Sequence, residues 1–520
     1  MPVAARVKPG FYKDSVALMR VAQALAARAG IARATLVMGT PANKAVLEHA
    51  GLLERSLADA RAGDLMIVVE GAAAAALDEA LAEAERLLVA TEAPAAIAGE
   101  ETLRSIAMAQ EAGAPATLAQ ISVPGPYAAG EALKALKRGL HVFLFSDNVP
   151  LEQEIALKKL AAGRRLLVMG PDCGTAIIGG VPLGFANAVR RGVIGLAGAS
   201  GTGLQHVSTL VHDAGQGVSN AIGTGSRDVL AEVGGVTTRE AIALLAADRG
   251  TRVITIVSKP PAKAVAEAVL ADAVRAGKPV VALFLGASGL KSQANVTVVA
   301  TLEEAASAAV TLARGGVHKS GAPMLDGTAT MPAELMMLAP SQRYVRGLYS
   351  GGTFCTEAQV VLRAAGILAW SNAPIDKARR IPELAPSTAH CVIDLGADEF
   401  TVGRPHPMID HGARAERLLA EARDPETALV MFDVVLGYGA HPDPAGALAP
   451  AIREARAAAL RGGRHLILVA FVCGTDEDPQ RASAQAKRLR EAGVNVVASS
   501  TAAARLAASV VAARSVSVNP

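Results

Sequence analysis

The sequence predicts an α/β protein with parallel sheets, and two observations support this class. Short apolar runs alternate with alanine-rich segments along most of the chain, and each run has the length of a buried strand. The segment after each run carries apolar residues at helical spacing, which indicates repeated strand-helix-strand units. The predicted strands before residue 290 are 34–39, 64–71, 116–123, 141–146, 165–170, 193–198, 252–258 and 279–286.

This alternation stops between residues 315 and 342, where the chain is rich in Gly, Pro, Ser and Thr and lacks periodic apolar residues. That composition predicts a linker over 317–342. The alternation then resumes, which places a domain boundary near residue 343; a second boundary is expected near residue 192, where a new strand begins. The later predicted strands are 346–351, 390–396, 428–437, 465–474 and 494–500.

Length and composition exclude several classes of protein. A chain of 520 residues predicts about three domains. Its four cysteines, Cys173, Cys355, Cys391 and Cys473, are widely separated and include no Cys-x-x-Cys pair, so neither a disulfide framework nor a zinc site is indicated and no metal is expected. The absence of a secretory signal and of a long apolar run predicts a cytoplasmic protein with no membrane partner. A net charge of +3 and an aromatic content of 3% argue against a nucleic-acid partner.

The segment IGLAGASGTGLQHVSTLV, residues 194–211, is the first candidate site. An apolar strand enters a corner that contains Ser200, Gly201 and Thr202, and a helix follows. Glycine permits a tight turn, and the first-turn amides of the helix then point outward, where they favour a phosphate or carboxylate. The spacing is not that of a Walker A loop. The alternative is a corner whose small residues serve only close packing.

A second corner has the same local pattern. RGLYSGGTFCTEAQVVLRAAG, residues 346–366, also combines a strand, a small polar corner and a helix that closes on Ala-Gly. Because the pattern occurs twice, we favour an anion-binding interpretation for both corners. The candidate residues of this second corner are Ser350, Gly351, Gly352 and Thr353.

Longer motifs then indicate a family. Residues 120–180 and the corner that follows resemble the α subunit of succinyl-CoA synthetase, and the region after residue 343 resembles the last domain of its β subunit. The whole chain resembles the FdrA family, which joins these two pieces without an ATP-grasp domain. The motifs that carry this resemblance are FYKDSVALM, VMGTPANKAVL, FSDNVPLEQEI, VMGPDCGT, ASGTG, SKPP and VGRPHPMID.

The resemblance implies three domains. These are a CoA-binding-like Rossmann domain over 1–191, a succinyl-CoA-synthetase-like flavodoxin domain over 192–316 and a second such domain over 343–520. In the synthetases, one helix N-terminus from each subunit stabilises a phosphorylated histidine. Both helices would here belong to one chain, with an acyl phosphate or carbamoyl phosphate between them as the substrate.

Two departures from the synthetases qualify this expectation. The loop that should hold the phosphorylated histidine reads GASGLKSQANVTVV, residues 286–299, and contains no histidine. Lys259 stands in the place of the supporting glutamate. A positive charge there suits an anionic substrate rather than a histidine that becomes phosphorylated, and Lys259 is accordingly a candidate catalytic residue. The alternative is a solvated loop cation.

The N-terminal region leaves CoA binding open. A CoA-binding Rossmann domain should begin with a glycine-rich turn, but the first apolar run contains only Gly10. The next corner offers a phosphate-binding interpretation or a capped helix that begins at Pro41. The candidate nucleotide or CoA-type residues at this corner are Gly39, Thr40, Asn43 and Lys44.

Two histidines lie near the predicted sites. His406 follows a predicted strand on a loop stiffened by prolines, and Arg404 lies nearby as a candidate anion ligand. We predict a general acid or substrate anchor at His406, with Asp410 as an orienting partner; a rigid structural loop is the alternative. His206 lies in the first turns of a candidate helix, where it would approach the anion or simply pack.

The resemblance to FdrA implies an oxamate carbamoyltransferase subunit, which exchanges carbamoyl phosphate and oxamate with phosphate and oxalurate in purine catabolism. An acyl-CoA ligase that needs an ATP-grasp subunit in trans is the alternative enzyme, and a non-catalytic scaffold is the alternative from another class. We expect small anionic substrates, further enzyme subunits as partners and a homo- or hetero-oligomer.

Overall fold

The computed structural model describes residues 1–13, 15–90, 103–113, 116–318, 333–382, 385–401 and 405–518. Within it the chain forms two compact units. The first comprises Met1–Asp172 with Thr401–Pro405, and the second comprises Cys173–Phe400 with His406–Pro520. Most of the predicted linker, residues 319–332, lies outside the described residues.

The first unit begins with a small antiparallel sheet of order β1-β3-β2. Its helices α1 and α3 cover an apolar core that includes Leu25, Ile67 and Leu88. A short 3₁₀ turn precedes β3. The elements are β1 (Val3–Lys8), α1 (Ser15–Ala26), β2 (Ile31–Met38), α2 (Pro41–His49), β3 (Leu65–Gly71) and α3 (Ala74–Ala90).

This sheet corrects the expectation of one Rossmann-like domain over residues 1–191. Since β3 is antiparallel to both β1 and β2 and lies between them, residues 1–90 do not form a run of adjacent parallel strands. Alternation of apolar runs and helices identifies the elements, but it carries no information on strand direction, which depends on tertiary pairing.

A separate parallel sheet of order β4-β5-β6 completes the first unit. Here the expected parallel arrangement is present. Its core includes Ile121, Val142 and Leu157. The elements are α4 (Ile106–Ala112), β4 (Leu118–Ile121), α5 (Gly125–Lys137), β5 (His141–Leu144), α6 (Leu151–Ala162) and β6 (Val168–Met169).

The second unit contains a seven-stranded sheet of order β13-β12-β11-β9-β10-β7-β8. Strands β9 to β13 run parallel, whereas the hairpin β7-β8 is antiparallel at one edge. This hairpin precedes residue 192, so the sheet begins before the predicted boundary. The elements are β7 (Thr175–Ile178), β8 (Val181–Gly184), β9 (Arg191–Gly198), α7 (Gly201–Asp213), β10 (Val218–Gly223), α8 (Val236–Ala247), β11 (Val253–Ser258), α9 (Lys263–Arg275), β12 (Val280–Phe284), β13 (Val296–Val299) and α10 (Leu302–Ala313).

A five-stranded, fully parallel sheet of order β15-β14-β16-β17-β18 follows in the same unit. A five-residue 3₁₀ turn lies before β14, and a three-residue 3₁₀ turn lies before β15. The elements are β14 (Tyr344–Tyr349), α11 (Gly352–Ala364), β15 (Cys391–Asp394), α12 (Asp398–Thr401), α13 (Gly412–Arg423), β16 (Thr427–Val435), α14 (Pro444–Arg461), β17 (Ile467–Cys473), α15 (Ala482–Glu491), β18 (Asn495–Val497) and α16 (Ser500–Val518).

The topology of these two sheets places both candidate corners at equivalent positions. Strand β9 lies between β10 and β11, and β14 lies between β15 and β16. In each sheet the chain therefore leaves a central strand and continues to one side, later crossing to the other. Ligands of open α/β sheets bind at the carboxyl ends of strands at such switch points. One apolar core, which includes Leu204, Phe354 and Phe471, joins the two sheets.

In the part of the chain that the structure describes, every helix is too short or too polar to serve as a membrane span.

Candidate functional site

The corner before α7 requires glycine and leaves the helix N-terminus uncapped. Gly198 has a φ of 152°, and a Cβ there would overlap the Val257 carbonyl. Ser200 is the N-cap residue, yet its hydroxyl accepts no hydrogen bond from α7. The first-turn amides of α7 therefore stay available to an acceptor from outside the helix.

The N-terminus of α11 is also without a side-chain cap, and the corner before it is held by a buried carboxylate. Gly351 is its N-cap and supplies no side chain. Ser350 donates its backbone N–H to Asp433 Oδ1 at 2.8 Å and its hydroxyl to the same carboxylate. Arg414 Nη2 pairs with Asp433 Oδ1 at 3.0 Å, and all three side chains are buried. This buried pair holds the corner in place.

The structure brings the two corners together within the second unit. The hydroxyls of Ser200 and Thr353 form a hydrogen bond of 2.7 Å. A Cβ on Gly351 would lie 3.0 Å from the Thr202 methyl, so glycine allows this close approach. Gly201, Gly351 and Gly352 remain partly exposed. The two helix N-termini thus meet at an edge that solvent reaches.

Lys259 lies at the same edge, where β11 ends. A Cβ on Gly352 would be 3.7 Å from Lys259 Nζ and 2.9 Å from Asp394 Oδ2. Lys259 is half-buried. A cation and a buried carboxyl group therefore flank the first residue of α11, and the cation adds to the field of the helix dipole.

Asp394, at the end of β15, was not singled out by sequence. Burial raises the pKa of its carboxyl group to about 6, and the nearby Lys259 ammonium and the Gly396 amide oppose that rise. Its backbone is fixed by Asn372, whose Oδ1 accepts the Asp394 N–H at 2.9 Å and whose Nδ2 donates to the Asp394 carbonyl at 2.9 Å.

His406 also reaches this edge. A Cβ on Gly396 would lie 3.1 Å from His406 Nε2. The ring accepts the Met408 N–H at Nδ1, 3.3 Å away, which leaves Nε2 as the protonated nitrogen of the neutral ring. Burial lowers the pKa of His406 to about 4. At neutral pH the side chain is therefore a neutral donor, which suits the predicted substrate anchor better than the predicted general acid.

Asp410, the predicted orienting partner of His406, does not bond to His406 Nδ1. Asp410 Oδ1 accepts the Gly412 N–H at 2.8 Å at the start of α13, and the observed partner of His406 Nδ1 is the Met408 main chain. Arg404 lies outside the described residues.

His206 packs instead of facing the corner. Its ring contacts Phe354 and Phe471, at centroid distances of 5.5 and 5.2 Å, and its Nε2 accepts the Ser500 N–H at 3.2 Å. Burial lowers its pKa to about 3. The side chain therefore joins α7 to the second sheet and its helices.

The N-terminal corner is a capped helix. The hydroxyl of Thr40 accepts the Asn43 N–H at 3.2 Å, and Pro41 begins α2. Asn43 Nδ2 and Lys44 Nζ donate to the carbonyls of Met38 and Ala58 at 2.8 and 2.6 Å. A Cβ on Gly39 would overlap the Arg61 carbonyl, so this glycine serves close packing. The side chains of Thr40, Asn43 and Lys44 thus bond within the chain.

Sequence reasoning missed Asp394 and Asp433. A signal for both was present, because each is a lone acid within or at the end of an otherwise apolar predicted strand, HCVIDLG and ALVMFDVVLG. Acids at the carboxyl ends of parallel strands lie where ligands bind. The pairing of Asp433 with Arg414 could not be anticipated, since it depends on how α13 packs.

Two family models match parts of the chain. A CoA-ligase model matches residues 348–510, and a model described as AllF, heavy metal-associated domain, matches residues 1–104. Residues 1–104 contain no cysteine and a single histidine, His49. This donor set does not fit a soft or borderline metal ion. In addition, no group of three potential metal ligands occurs among the described residues.

Relatives cover different shares of the chain. Uncharacterized protein YahF of Escherichia coli is 43% identical over 504 residues, 96% of this chain and 97% of that protein. ADP-forming sulfoacetate-CoA ligase subunit SauD of Bilophila wadsworthia is 28% identical over 33% of this chain and 60% of its own length. The α subunit of ADP-forming succinate-CoA ligase from Staphylococcus aureus is 28% identical over 22% of this chain and 39% of its own.

Solved structures are more distant. An acetyl-coenzyme A synthetase of Ca. Korarchaeum cryptofilum is 16% identical, with a TM-score of 0.33 over 81% of this chain and 88% of that one. ATP citrate lyase of Methanothrix soehngenii is 16% identical, with a TM-score of 0.35 over 45% of each chain.

Proposed function

The chain belongs to the family of YahF, within the succinyl-CoA-synthetase-like proteins, and from that premise we propose that it is an enzyme subunit that holds an acyl phosphate where α7 and α11 begin. The observation that carries the proposal is the meeting of two uncapped helix N-termini, joined by Ser200 and Thr353, beside Lys259. Converging amides and a cation suit a phosphoryl group.

The chemistry follows from this arrangement. In an acyl phosphate, the carbonyl carbon is attacked by a nucleophile and the phosphate departs with the electron pair of the broken C–O bond. The amides of α7 and α11 and the Lys259 ammonium would stabilise the negative charge that develops on the leaving phosphate. His406 Nε2–H would donate to a carboxylate or carbonyl oxygen of the acceptor.

The absence of a histidine from residues 286–299 favours a substrate that arrives already phosphorylated. We therefore propose carbamoyl phosphate as the donor and oxamate as the acceptor, which the resemblance to FdrA implies. The products would be phosphate and oxalurate, in purine catabolism. Partner subunits would complete the enzyme.

An acyl-CoA ligase subunit is the second candidate, and the match of a CoA-ligase model to residues 348–510 favours it. In this alternative an ATP-grasp subunit in trans would generate the acyl phosphate, and CoA would be the acceptor. The nucleophile is then a thiol instead of an amide nitrogen, while the phosphate site stays the same.

Calorimetry with the purified full chain would test these proposals, with carbamoyl phosphate and CoA as separate ligands. We expect carbamoyl phosphate to bind, and Gly201→Glu to abolish this binding because its carboxylate would occupy the N-terminus of α7. Gly130→Glu is the matched control, since Gly130 lies on α5 with open space around it.

The outcomes separate the candidates. Binding of carbamoyl phosphate that survives Gly201→Glu would refute the site. CoA binding without carbamoyl phosphate binding would favour the ligase subunit. If neither ligand binds and addition of candidate partner subunits yields no turnover, the chain is a scaffold.

A further inference from the structure

Asp394 is an unusual neighbour for an anion site. The residue is 8% exposed, and its Oδ1 accepts the Gly396 N–H at 2.9 Å. Oδ2 accepts no hydrogen bond from the part of the chain that the structure describes, and it points at Gly352, the first residue of α11. Nor does Asp394 form a salt bridge with Lys259 among these residues. Within the described residues, a carboxyl oxygen of a largely buried aspartate thus faces the N-terminus where we place the phosphoryl group, and no protein donor occupies it.

An ionised carboxylate at this point would repel a phosphate. Repulsion between two anions in a partly buried site raises the pKa of the group that can take up a proton. The pKa of Asp394 is already raised to about 6 by burial, so protonation near neutrality requires little further change. A protonated carboxyl group would instead donate a hydrogen bond to the phosphoryl oxygen.

The groups that face Asp394 come from several elements. Lys259 after β11 favours the ionised form, whereas Glu399 on α12 and Asp433 on β16 favour the protonated form. His406 has a pKa of about 4 and is neutral near pH 7. Of the two groups, Asp394 and His406, the Asp394 carboxyl has the pKa nearer to neutral pH.

We propose that Asp394 is the acid-base residue of this site, which takes up a proton when a phosphoryl anion binds at α11 and gives that proton to the departing phosphate. The proposal rests on the proposed function and names the group that moves the proton in it. The site residues that the resemblance to FdrA implies do not include Asp394.

The protonated Asp394 carboxyl group is regenerated at the end of the carbamoyl transfer. The acceptor nitrogen forms a bond to the carbonyl carbon of carbamoyl phosphate, and the bond between that carbon and the bridging oxygen breaks. The electron pair stays on the phosphate oxygen, which takes the proton of the Asp394 carboxyl and leaves as hydrogen phosphate. The resulting carboxylate then takes the proton that the acceptor nitrogen loses.

Sulfate is the probe for the test, because it resembles the phosphoryl group and does not titrate between pH 5 and 8. Calorimetry of sulfate binding to the full chain, in buffers of different ionisation enthalpy, measures the protons taken up on binding. With a free pKa of about 6, uptake at pH 6.5 should approach about 0.7 proton per sulfate. Affinity should fall about tenfold between pH 6.0 and 7.5.

Variants assign the proton. Asp394→Asn should bind sulfate with no proton uptake and with an affinity that is independent of pH. Glu399→Gln is the matched control, since it removes a neighbouring acid and should retain the uptake. The infrared difference spectrum of the unmodified chain gives a second measurement, in which sulfate should increase a protonated-carboxyl band at the expense of carboxylate bands.

The outcomes are distinct. Sulfate binding without proton uptake, or uptake that persists in Asp394→Asn, would overturn the role of Asp394 and leave the anion site intact. Failure of the unmodified chain to bind sulfate or carbamoyl phosphate would overturn the proposed function and this role together. If Asp394→Asn does not fold, the infrared spectrum of the unmodified chain decides.

Discussion

The helix α2 and the pair α7 and α11 all follow a strand and a corner of Gly, Ser and Thr, but their N-termini differ. At α2 the Thr40 hydroxyl accepts an amide of its own helix. At α7 the Ser200 hydroxyl instead bonds to Thr353, 153 residues further along the chain, and both site helices lack a side-chain cap. A side-chain cap satisfies one of the free first-turn amides, whereas an uncapped N-terminus leaves all of them to a ligand or water.

This comparison shows which feature distinguishes a binding corner from a structural one. The type of residue does not distinguish them, because a threonine hydroxyl caps its own helix at α2 and bonds to the other corner at α11. The hydrogen-bond partner of the hydroxyl does distinguish them, and that partner is determined by the tertiary structure. Four predictions test this difference.

The largest effect is expected at the anchor of the α11 corner. Arg414→Leu would leave the buried Asp433 carboxylate without its ion pair and should lower the free energy of unfolding by about 3–5 kcal/mol. Denaturant unfolding would measure the loss. Arg461→Leu is the control, because its pair with Glu454 is exposed and should contribute less than about 1 kcal/mol. Equal losses would show that the Arg414 pair does not anchor the corner.

A fall in pH should lower the stability of α7 and its hydrogen-exchange protection, and should leave α2 unaffected. His206 has a pKa of about 3 in the folded chain, below the ordinary 6.5, so the unfolded form takes up the proton first. Stability from this group is therefore complete above pH 6.5 and falls by about 2 kcal/mol at pH 5. Hydrogen exchange of the α7 amides would measure this loss of stability, once the rates are corrected for the pH dependence of intrinsic exchange.

The matched variant for this test is His206→Gln, whose side-chain carbonyl keeps an acceptor for the Ser500 N–H and does not titrate. Its α7 amides should lose less protection between pH 6.5 and 5 than those of the unmodified chain. The same loss in both proteins would exclude His206 as the cause.

Removal of the site cation should weaken ligand binding with little change in stability. Lys259→Met is expected to reduce the affinity for carbamoyl phosphate about tenfold, a change of about 1.4 kcal/mol. Lys263→Met serves as the control, because Lys263 is exposed and lies four residues further along. Binding that is equally weakened by both variants would indicate general attraction by positive charge.

The smallest effect is expected at the capped corner. Thr40→Ala removes the cap of α2 and should lower stability by about 1 kcal/mol, without any change in carbamoyl phosphate binding. Thermal unfolding and calorimetry would measure the two quantities. A loss of binding here would mean that the capped and uncapped corners do not differ in the way described above.

The sequence was sufficient for the class of fold and for the positions of both corners, because strand length, helical spacing and glycine-rich turns are local properties. It was insufficient for the N-terminal sheet, since the direction of β3 is decided by pairing with β1 and β2. Asp394 was missed for a similar reason: its proximity to Lys259 arises only when β15 and β11, in different sheets, end at one edge.

The proposed function requires that a phosphoryl group binds where α7 and α11 begin. The most direct test is a crystal structure of the full chain with carbamoyl phosphate. We expect electron density for the phosphoryl group at the Gly352 amide, within reach of Lys259 Nζ. Density at the Thr40 corner, or an empty α11 N-terminus in a crystal that binds the ligand elsewhere, would contradict it.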